Sequence, residues 1–102
     1  MNIPFFNPRK INKDSSTSIL RGIQSLMPLG YSILQSLYIQ RDIEEGKNKK
    51  VIKQAVNLVS KKNVDLEKAL LQVGLISEEE KMILTYSKDT KVSIDYIVEL
   101  RD

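Results

Sequence analysis

The chain has 102 residues, of which 41% are hydrophobic, a formal net charge of +3, and neither histidine nor cysteine. This length suits one domain with one core, and the missing residues exclude disulfides, thiol and imidazole nucleophiles, and the commonest metal ligands. No stretch of the sequence reaches the roughly 18–20 consecutive apolar residues of a membrane span.

Charge is distributed unevenly along the chain. Residues 47–62 carry six lysines and no acidic residue, whereas residues 63–102 carry five basic and nine acidic residues. The chain is therefore electrically polarised rather than uniformly basic, and the lysine-rich segment is the first place to look for a binding surface.

The first fourteen residues differ from the rest of the chain. Residues 1–14 contain two prolines and no helical period, which predicts an extended or disordered arm. Residues 15–102 are predicted to form a helical bundle domain. Its first helix begins at Ser15, with Asp14, Ser15 and Ser16 as candidate caps, and ends at Pro28.

Two longer helices are predicted next. Pro28 suits the first position of a second helix, which runs to about residue 45 and stops at Gly46. A third helix covers residues 48–62, with most lysines opposite its apolar face. Asn63 is expected to end it, because asparagine tolerates the left-handed backbone conformation.

Three shorter helices complete the prediction. Asp65 caps the fourth, Ser77 opens the fifth with an S-x-x-E capping box, and Thr90 or Ser93 caps the sixth. The residues expected to face inward in the last two helices are Met82, Ile83, Tyr86, Ile94, Ile97 and Val98. Short connections between about six short helices favour an all-α, antiparallel bundle.

The lysine run supplies the main candidate site. Lys49, Lys50 and Lys53 can bind an acidic protein, or the phosphates of lipid or nucleic acid. The alternative is a solvated helix face that binds nothing. DNA binding is disfavoured, because the helix-turn-helix-like segment 69–84 would present the acidic residues 78–80 to the phosphates.

The arm supplies a second candidate site. Phe5 and Phe6, beside Arg9 and Lys10, can dock on a partner protein or a membrane surface, or fold back onto the bundle. Both possibilities stay open. No catalytic, cofactor-binding or metal-binding residue is predicted, since no nucleophile elbow, S-x-x-K pattern, P-loop or EF-hand spacing occurs.

Two segments carry a resemblance to a known family. Leu26-Met27-Pro28-Leu29 is similar to the Gly-hydrophobic-Pro-hydrophobic break between two helices, and residues 63–70, Asn-Val-Asp-Leu-Glu-Lys-Ala-Leu, are similar to a Gly-x-x-Leu-x-x-Ala-Leu step. Both patterns are typical of the cytoplasmic domain of inner-membrane platform proteins of type IV pilus and type II secretion systems. The resemblance covers about residues 15–102. The family's Gly-Glu-x-Ser/Thr-Gly turn is replaced here by Tyr-Ser-Lys-Asp-Thr at residues 86–90, so no role of that turn is transferred.

The resemblance implies a noncatalytic scaffold domain on the cytoplasmic side of the bacterial inner membrane, with transmembrane helices expected after residue 102. Such a domain would couple a pilus or secretion assembly ATPase to pilus or pseudopilus assembly. Its partners would be that ATPase and other inner-membrane assembly proteins, and it would use no cofactor and bind no nucleic acid. Because related domains tend to pair, a homodimer is also expected.

Two alternatives remain. Residues 70–80 resemble part of the N-terminal regulatory domain of pilus and secretion ATPases, although the Ala-Leu-x-x-Gln that follows in that domain is missing here. The second alternative is a small, basic, helical nucleic-acid-binding domain.

Overall fold

The computed structural model describes residues 11–102, which form six α-helices and no strand. The helices are α1 (Lys13–Leu26), α2 (Ile33–Ile43), α3 (Gly46–Ser60), α4 (Leu66–Gln72), α5 (Glu78–Tyr86) and α6 (Thr90–Arg101). The predicted all-α, antiparallel helical bundle is confirmed. Among residues 11–102, no helix combines the length and the hydropathy needed to span a bilayer.

Helix α1 begins earlier than predicted. Asn12 is its N-cap, and the Asn12 side-chain oxygen accepts a hydrogen bond of 2.8 Å from the backbone N–H of Ser15. Lys13 and Asp14 are therefore helical, and Asp14, Ser15 and Ser16 do not cap the helix. The first helix therefore starts at Lys13, two residues before the predicted start at Ser15.

The end of α1 before Pro28 is confirmed, but the prediction that Pro28 opens the second helix is wrong, because α2 starts at Ile33. Met27–Leu29 forms a short 3-10 turn, and Gly30 then adopts φ 102°, a left-handed conformation that favours glycine. Helix α2 starts only after Ser32, whose hydroxyl and backbone N–H exchange hydrogen bonds with Gln35 in a capping box.

Gly46 has a different role from the one predicted. Helix α2 already ends at Ile43, and Gly46, with φ 63°, is the first residue of α3 rather than the stop of α2. Asn63, with φ 56°, does follow α3 in the left-handed conformation, as predicted. The third helix is thus shifted two residues toward the N-terminus.

The ends of the shorter helices follow local rules. After α4, Gly74 (φ 85°) donates to the Leu71 carbonyl and Leu75 donates to the Leu70 carbonyl, which is the Schellman pattern. The capping box at Ser77 is confirmed by its reciprocal hydrogen bonds with Glu80, the third residue of α5. The cap of α6 is instead Asp89, whose carboxylate accepts from the backbone of residue 92, so the prediction of Thr90 or Ser93 is wrong.

One apolar core joins all six helices. Its fully buried large side chains include Ile19, Leu20, Ile23, Leu37, Ile52, Leu70, Leu75, Ile94 and Ile97. The predicted inward face of α5 is wrong in part: Met82 and Tyr86 are 56% and 79% exposed, and Leu84 is buried instead. Helix α3 packs against α2, α4 and α1, while α6 packs against α1 and α5.

The buried side chain of Arg101 links helix α6 to helices α1 and α5. The Arg101 side chain is 8% exposed, and its guanidinium nitrogens lie 2.8 Å and 2.6 Å from the two carboxylate oxygens of Glu80. The same guanidinium donates to the hydroxyls of Ser16 and Thr17 and to the carbonyl of Leu75. Helices α1, α5 and α6 and the α4–α5 connection therefore meet at one side chain.

The pKa of Glu80, the acid of this cluster, is shifted by its surroundings. Burial raises the pKa of Glu80, but the hydrogen bonds from Arg101 and from the backbone of Ser77 outweigh it, and the pKa lies below its ordinary value. Glu80 is thus held ionised beside the guanidinium over a wider pH range than a free glutamate.

Candidate functional site

The three lysines singled out from the sequence all lie on α3, but they do not share one environment. The buried side of α3 consists of Val51, Ile52, Ala55 and Val56. Lys50 and Lys53 are exposed on the opposite side, whereas Lys49 lies at the edge and is half-buried. Lys61, which is exposed and follows the last turn of α3, lies eleven residues after Lys50, so both point in nearly the same direction. We call Lys50, Lys53 and Lys61 the lysine face.

Arginine from the neighbouring helix adds to this surface. Arg41 of α2 lines the same shallow depression as Lys53 and Lys61, together with the polar side chains of Gln54, Asn57 and Ser60. The Arg41 guanidinium also lies 5.0 Å from the ring centroid of Tyr38, a cation–π contact that orients it. Arg41 also lies 3.8 Å from a carboxylate oxygen of Asp42, so Lys53 and Lys61 are the two cations of this depression without an ion pair among the described residues. Together with the amide and hydroxyl groups they form a surface suited to carboxylate or phosphate oxygens.

The lysines of residues 47–62 form no ion pair with the described part of the chain. Four ion pairs occur among residues 11–102, and none of them contains a lysine from residues 47–62. The nearby carboxylate of Glu44 instead accepts a 3.3 Å hydrogen bond from the Asn48 side chain. The positive charge of the lysine face is therefore directed to solvent, where it can attract a partner of opposite charge.

The acidic part of the chain lies elsewhere in the bundle. Glu78 and Glu79 are exposed in the first turn of α5, and Asp95 and Asp102 lie at α6 and bond to Gln24 and Arg21 of α1. Helix α3 packs on α2 and α4, while α6 packs on α1 and α5, so of the acids in residues 63–102 only Asp65 and Glu67 belong to a helix that packs directly on α3. The lysine face is thus a distinct basic surface.

The sequence predicts a basic surface on the third helix, but it does not identify all the residues that form it. It named Lys49, which is at the edge, and missed Arg41, which precedes the lysine run in sequence. Arg41 could have been found from the prediction that the second and third helices are adjacent and antiparallel. Phe5 and Phe6, the other two candidates, lie outside the described residues.

The described residues contain no group of three or more His, Cys, Asp or Glu side chains that could hold a metal ion. Comparison with protein-family models, with curated proteins and with solved structures gives no match to this chain. The resemblance to the platform proteins therefore stays a prediction that rests on the residues at the helix breaks.

Proposed function

We propose that this chain is a noncatalytic scaffold domain of an inner-membrane platform protein of a type IV pilus or type II secretion system. In this proposal it lies on the cytoplasmic side of the bacterial inner membrane and couples an assembly ATPase to pilus or pseudopilus assembly. The lysine face is the surface through which it binds an acidic region of a partner assembly protein. A pairing of two such domains is part of the same proposal.

The helix breaks support the resemblance on which the proposal rests. The segment with Pro28 lies between α1 and α2, and the segment that starts at Asn63 leads into α4. In the platform family, the corresponding segments are the break between the first two helices and the step into the fourth. A short α5 and a final α6 follow in the order that the family implies.

One observation carries the binding part of the proposal. The lysines of the lysine face are exposed and have no ion pair among the described residues, although acidic residues are abundant in the same chain. Exposed cations that are not needed for folding are free to steer an anionic partner toward the surface. Of the nearer acids, Asp42 pairs with Arg41 and Glu44 accepts from Asn48, while Glu78 and Glu79 lie on α5.

The lysine face can be tested with a charge-reversal variant. The probe is a purified assembly ATPase of a type IV pilus or type II secretion system from the same organism, with binding measured by calorimetry. We expect Lys50→Glu/Lys53→Glu/Lys61→Glu to weaken binding at least tenfold and to leave the helical circular dichroism unchanged. The matched control is Lys13→Glu/Lys68→Glu/Lys88→Glu, which changes the net charge equally at exposed positions outside α3. Equal weakening by both variants, or none by either, would contradict a role for the lysine face.

The platform proposal itself has a separate test in the gene. A run of about 20 codons for apolar residues downstream of codon 102 would support the platform proposal, because a helix of that length spans a bilayer. A P-loop motif downstream would instead support the regulatory domain of an ATPase.

Nucleic-acid binding gives a third distinguishable result. Binding to random duplex DNA with a steep salt dependence would support it and contradict the platform proposal. The exposed Glu78 and Glu79 at the start of α5 argue against one form of this outcome, because they would face the phosphates if residues 69–84 bound DNA as a helix-turn-helix.

A further inference from the structure

Ile11, the first described residue, lies between two concavities of opposite character. The first, of about 640 Å³, is lined by the apolar side chains of Ile11, Leu71, Ile76, Ile83 and Leu100 and by the acidic side chains of Glu78, Glu79 and Glu80. We call it the acidic groove. The second, of about 520 Å³, is lined by Ile11 together with Lys47, Asn48, Lys50 and Gln54, and we call it the basic cleft.

The charges at the two concavities differ in sign. Among the charged residues that line the acidic groove, Arg101 is paired with Glu80. The charges that remain are those of Lys13, Glu78 and Glu79. The net charge of the residues that line the groove is therefore −1. The basic cleft is lined by Lys47 and Lys50 and by no acidic residue, so the net charge of its lining is +2.

The groove also exposes apolar surface that the bundle does not cover. Leu100 is 59% exposed, and Leu71 and Ile83 are only partly buried although both pack against the core. An occupant that fits this groove has apolar side chains for its floor and positive charge for its acidic residues.

Residues 1–10 of the chain have this composition. They contain Ile3, Phe5 and Phe6, followed by Arg9 and Lys10, and no acidic residue. Lys10 is bonded directly to Ile11, which itself lines the groove. At about 3.3 Å per residue, Phe6 can reach about 17 Å from Ile11.

We propose that residues 1–10 bind in the acidic groove, with Phe5 and Phe6 on the apolar floor and Arg9 and Lys10 beside Glu78 and Glu79. The basic cleft is equally near to Ile11, but Lys47 and Lys50 repel the same two cations. Because the segment is tethered at the groove, its effective concentration is on the order of millimolar, so modest contacts suffice for occupancy. This inference concerns a surface other than the lysine face and goes beyond the proposed function.

The absence of cysteine makes a direct test possible. A nitroxide spin label is attached to the variant Asn2→Cys, and paramagnetic broadening of backbone amides is measured by NMR in the full chain. We expect the amides of Leu71, Gly74, Ile83 and Leu100 to lose at least half of their intensity. The amides of Lys50 and Gln54 in the basic cleft should keep theirs. Broadening at the basic cleft, or no localised broadening, would overturn the proposal.

A mixed sample separates binding within one chain from binding between two copies. Isotope-labelled chain without cysteine is combined with unlabelled chain that carries the nitroxide, and we expect no broadening. Broadening of the groove amides in this sample would show that a second copy supplies the segment, which overturns docking within one chain.

Two variants test the chemistry of the contact. Phe5→Ser/Phe6→Ser and Glu78→Lys/Glu79→Lys are each expected to restore at least half of the lost amide intensity. The matched control Glu45→Lys/Asp65→Lys makes the same charge change at exposed positions away from the groove and should leave the broadening unchanged. Unchanged broadening in the first two variants, in chains with native amide spectra, would contradict the assigned contacts.

Discussion

The two sides of the bundle use their charged residues in opposite ways. On the side of α1, α5 and α6, Arg101 is 8% exposed and bonds to Glu80, two hydroxyls and a carbonyl. On the side of α2 and α3, Lys50, Lys53 and Lys61 are exposed and have no ion pair among the described residues. A buried charge with every donor directed to an acceptor fixes how helices pack. An exposed charge adds little to stability and remains available for binding.

The largest effect on stability is expected from Arg101→Met. The substitution keeps an apolar stem but leaves the nearly buried carboxylate of Glu80 without its cation, which typically costs about 3–5 kcal/mol. Urea denaturation followed by circular dichroism measures the change in the free energy of unfolding.

The matched control for that experiment is Arg21→Met. Arg21 pairs with Asp102, but both side chains are about half exposed, so the expected loss is about 0–1 kcal/mol. If both variants lose the same stability, burial does not distinguish the two ion pairs and the comparison fails.

The pH dependence of stability tests the same cluster. Because the pKa of Glu80 in the fold lies below its unfolded value, Glu80 stabilises the fold at pH values above the unfolded pKa, about 4.5. This contribution is lost as the pH falls from that value through the folded pKa. We expect the chain with Glu80→Gln to be less stable at pH 7 and to show a shallower loss of stability below about pH 4.5.

Denaturant midpoints at pH 7, 5, 4 and 3 measure this dependence for both chains. The control is Glu79→Gln, which removes an exposed acid one residue away in the same helix. A parallel pH profile for the chain with Glu80→Gln and the unaltered chain would contradict the assignment.

Reversing the lysine face should change stability little. Lys50→Glu/Lys53→Glu/Lys61→Glu removes no ion pair found in the described residues, so the change in the free energy of unfolding should stay within about 0.5 kcal/mol per site. Thermal unfolding at low and at physiological salt measures it. A loss comparable to that of Arg101→Met would show that these charges do stabilise the fold.

The smallest effect is expected where α1 and α2 approach each other. A Cβ atom on Gly22 would lie 2.7 Å from the Oε1 atom of Gln40, whose Nε2 donates a 3.1 Å hydrogen bond to the Ile19 carbonyl. Gly22→Ala gains up to about 1 kcal/mol of helix propensity. It also displaces the Gln40 amide, so the net change should be small.

A double-mutant cycle separates these two effects. In a chain with Gln40→Ala the clash is absent, and Gly22→Ala should then stabilise by about 0.5–1 kcal/mol. Identical effects of Gly22→Ala in both backgrounds would show that Gln40 does not restrict this position.

Local signals predicted most of the fold correctly. Helical periodicity identified the buried faces around Ile23, Ile52 and Ile94, and the capping box at Ser77 needed only residues three positions apart. The errors occur where two local interpretations compete. Gly46 can end one helix or begin the next, and the backbone of its neighbours, which the sequence does not specify, decides between them.

The short α5 shows why periodicity alone can fail. In a helix of nine residues, a stripe through Met82 and Tyr86 and a stripe through Leu84 have similar support. Packing against α4 and α6 selects Leu84 for the core and leaves the other two exposed. Tertiary contacts, not local pattern, decide which face of such a helix is buried.

The candidate site was predictable only where it is local in sequence. Six lysines within sixteen residues are visible without a structure, but the contribution of Arg41 depends on how α2 lies against α3. The Arg101–Glu80 pair spans 21 residues, and its contacts with Ser16 and Thr17 span 85 and 84. No local signal marks such a pair, because each partner alone resembles an ordinary surface residue at a helix end.

The contact of Arg101 with α1 also has a consequence for synthesis on the ribosome. Helices α1 and α6 pack against each other, and Arg101 bonds to Ser16 and Thr17, so α1 is covered by a helix that is synthesised after the other four described helices. While residue 101 is still inside the exit tunnel, the apolar side of α1 lacks that cover and the acid of α5 lacks its cation. We therefore expect the bundle to close only after translation has passed α6, which makes the nascent chain a substrate for chaperones until then.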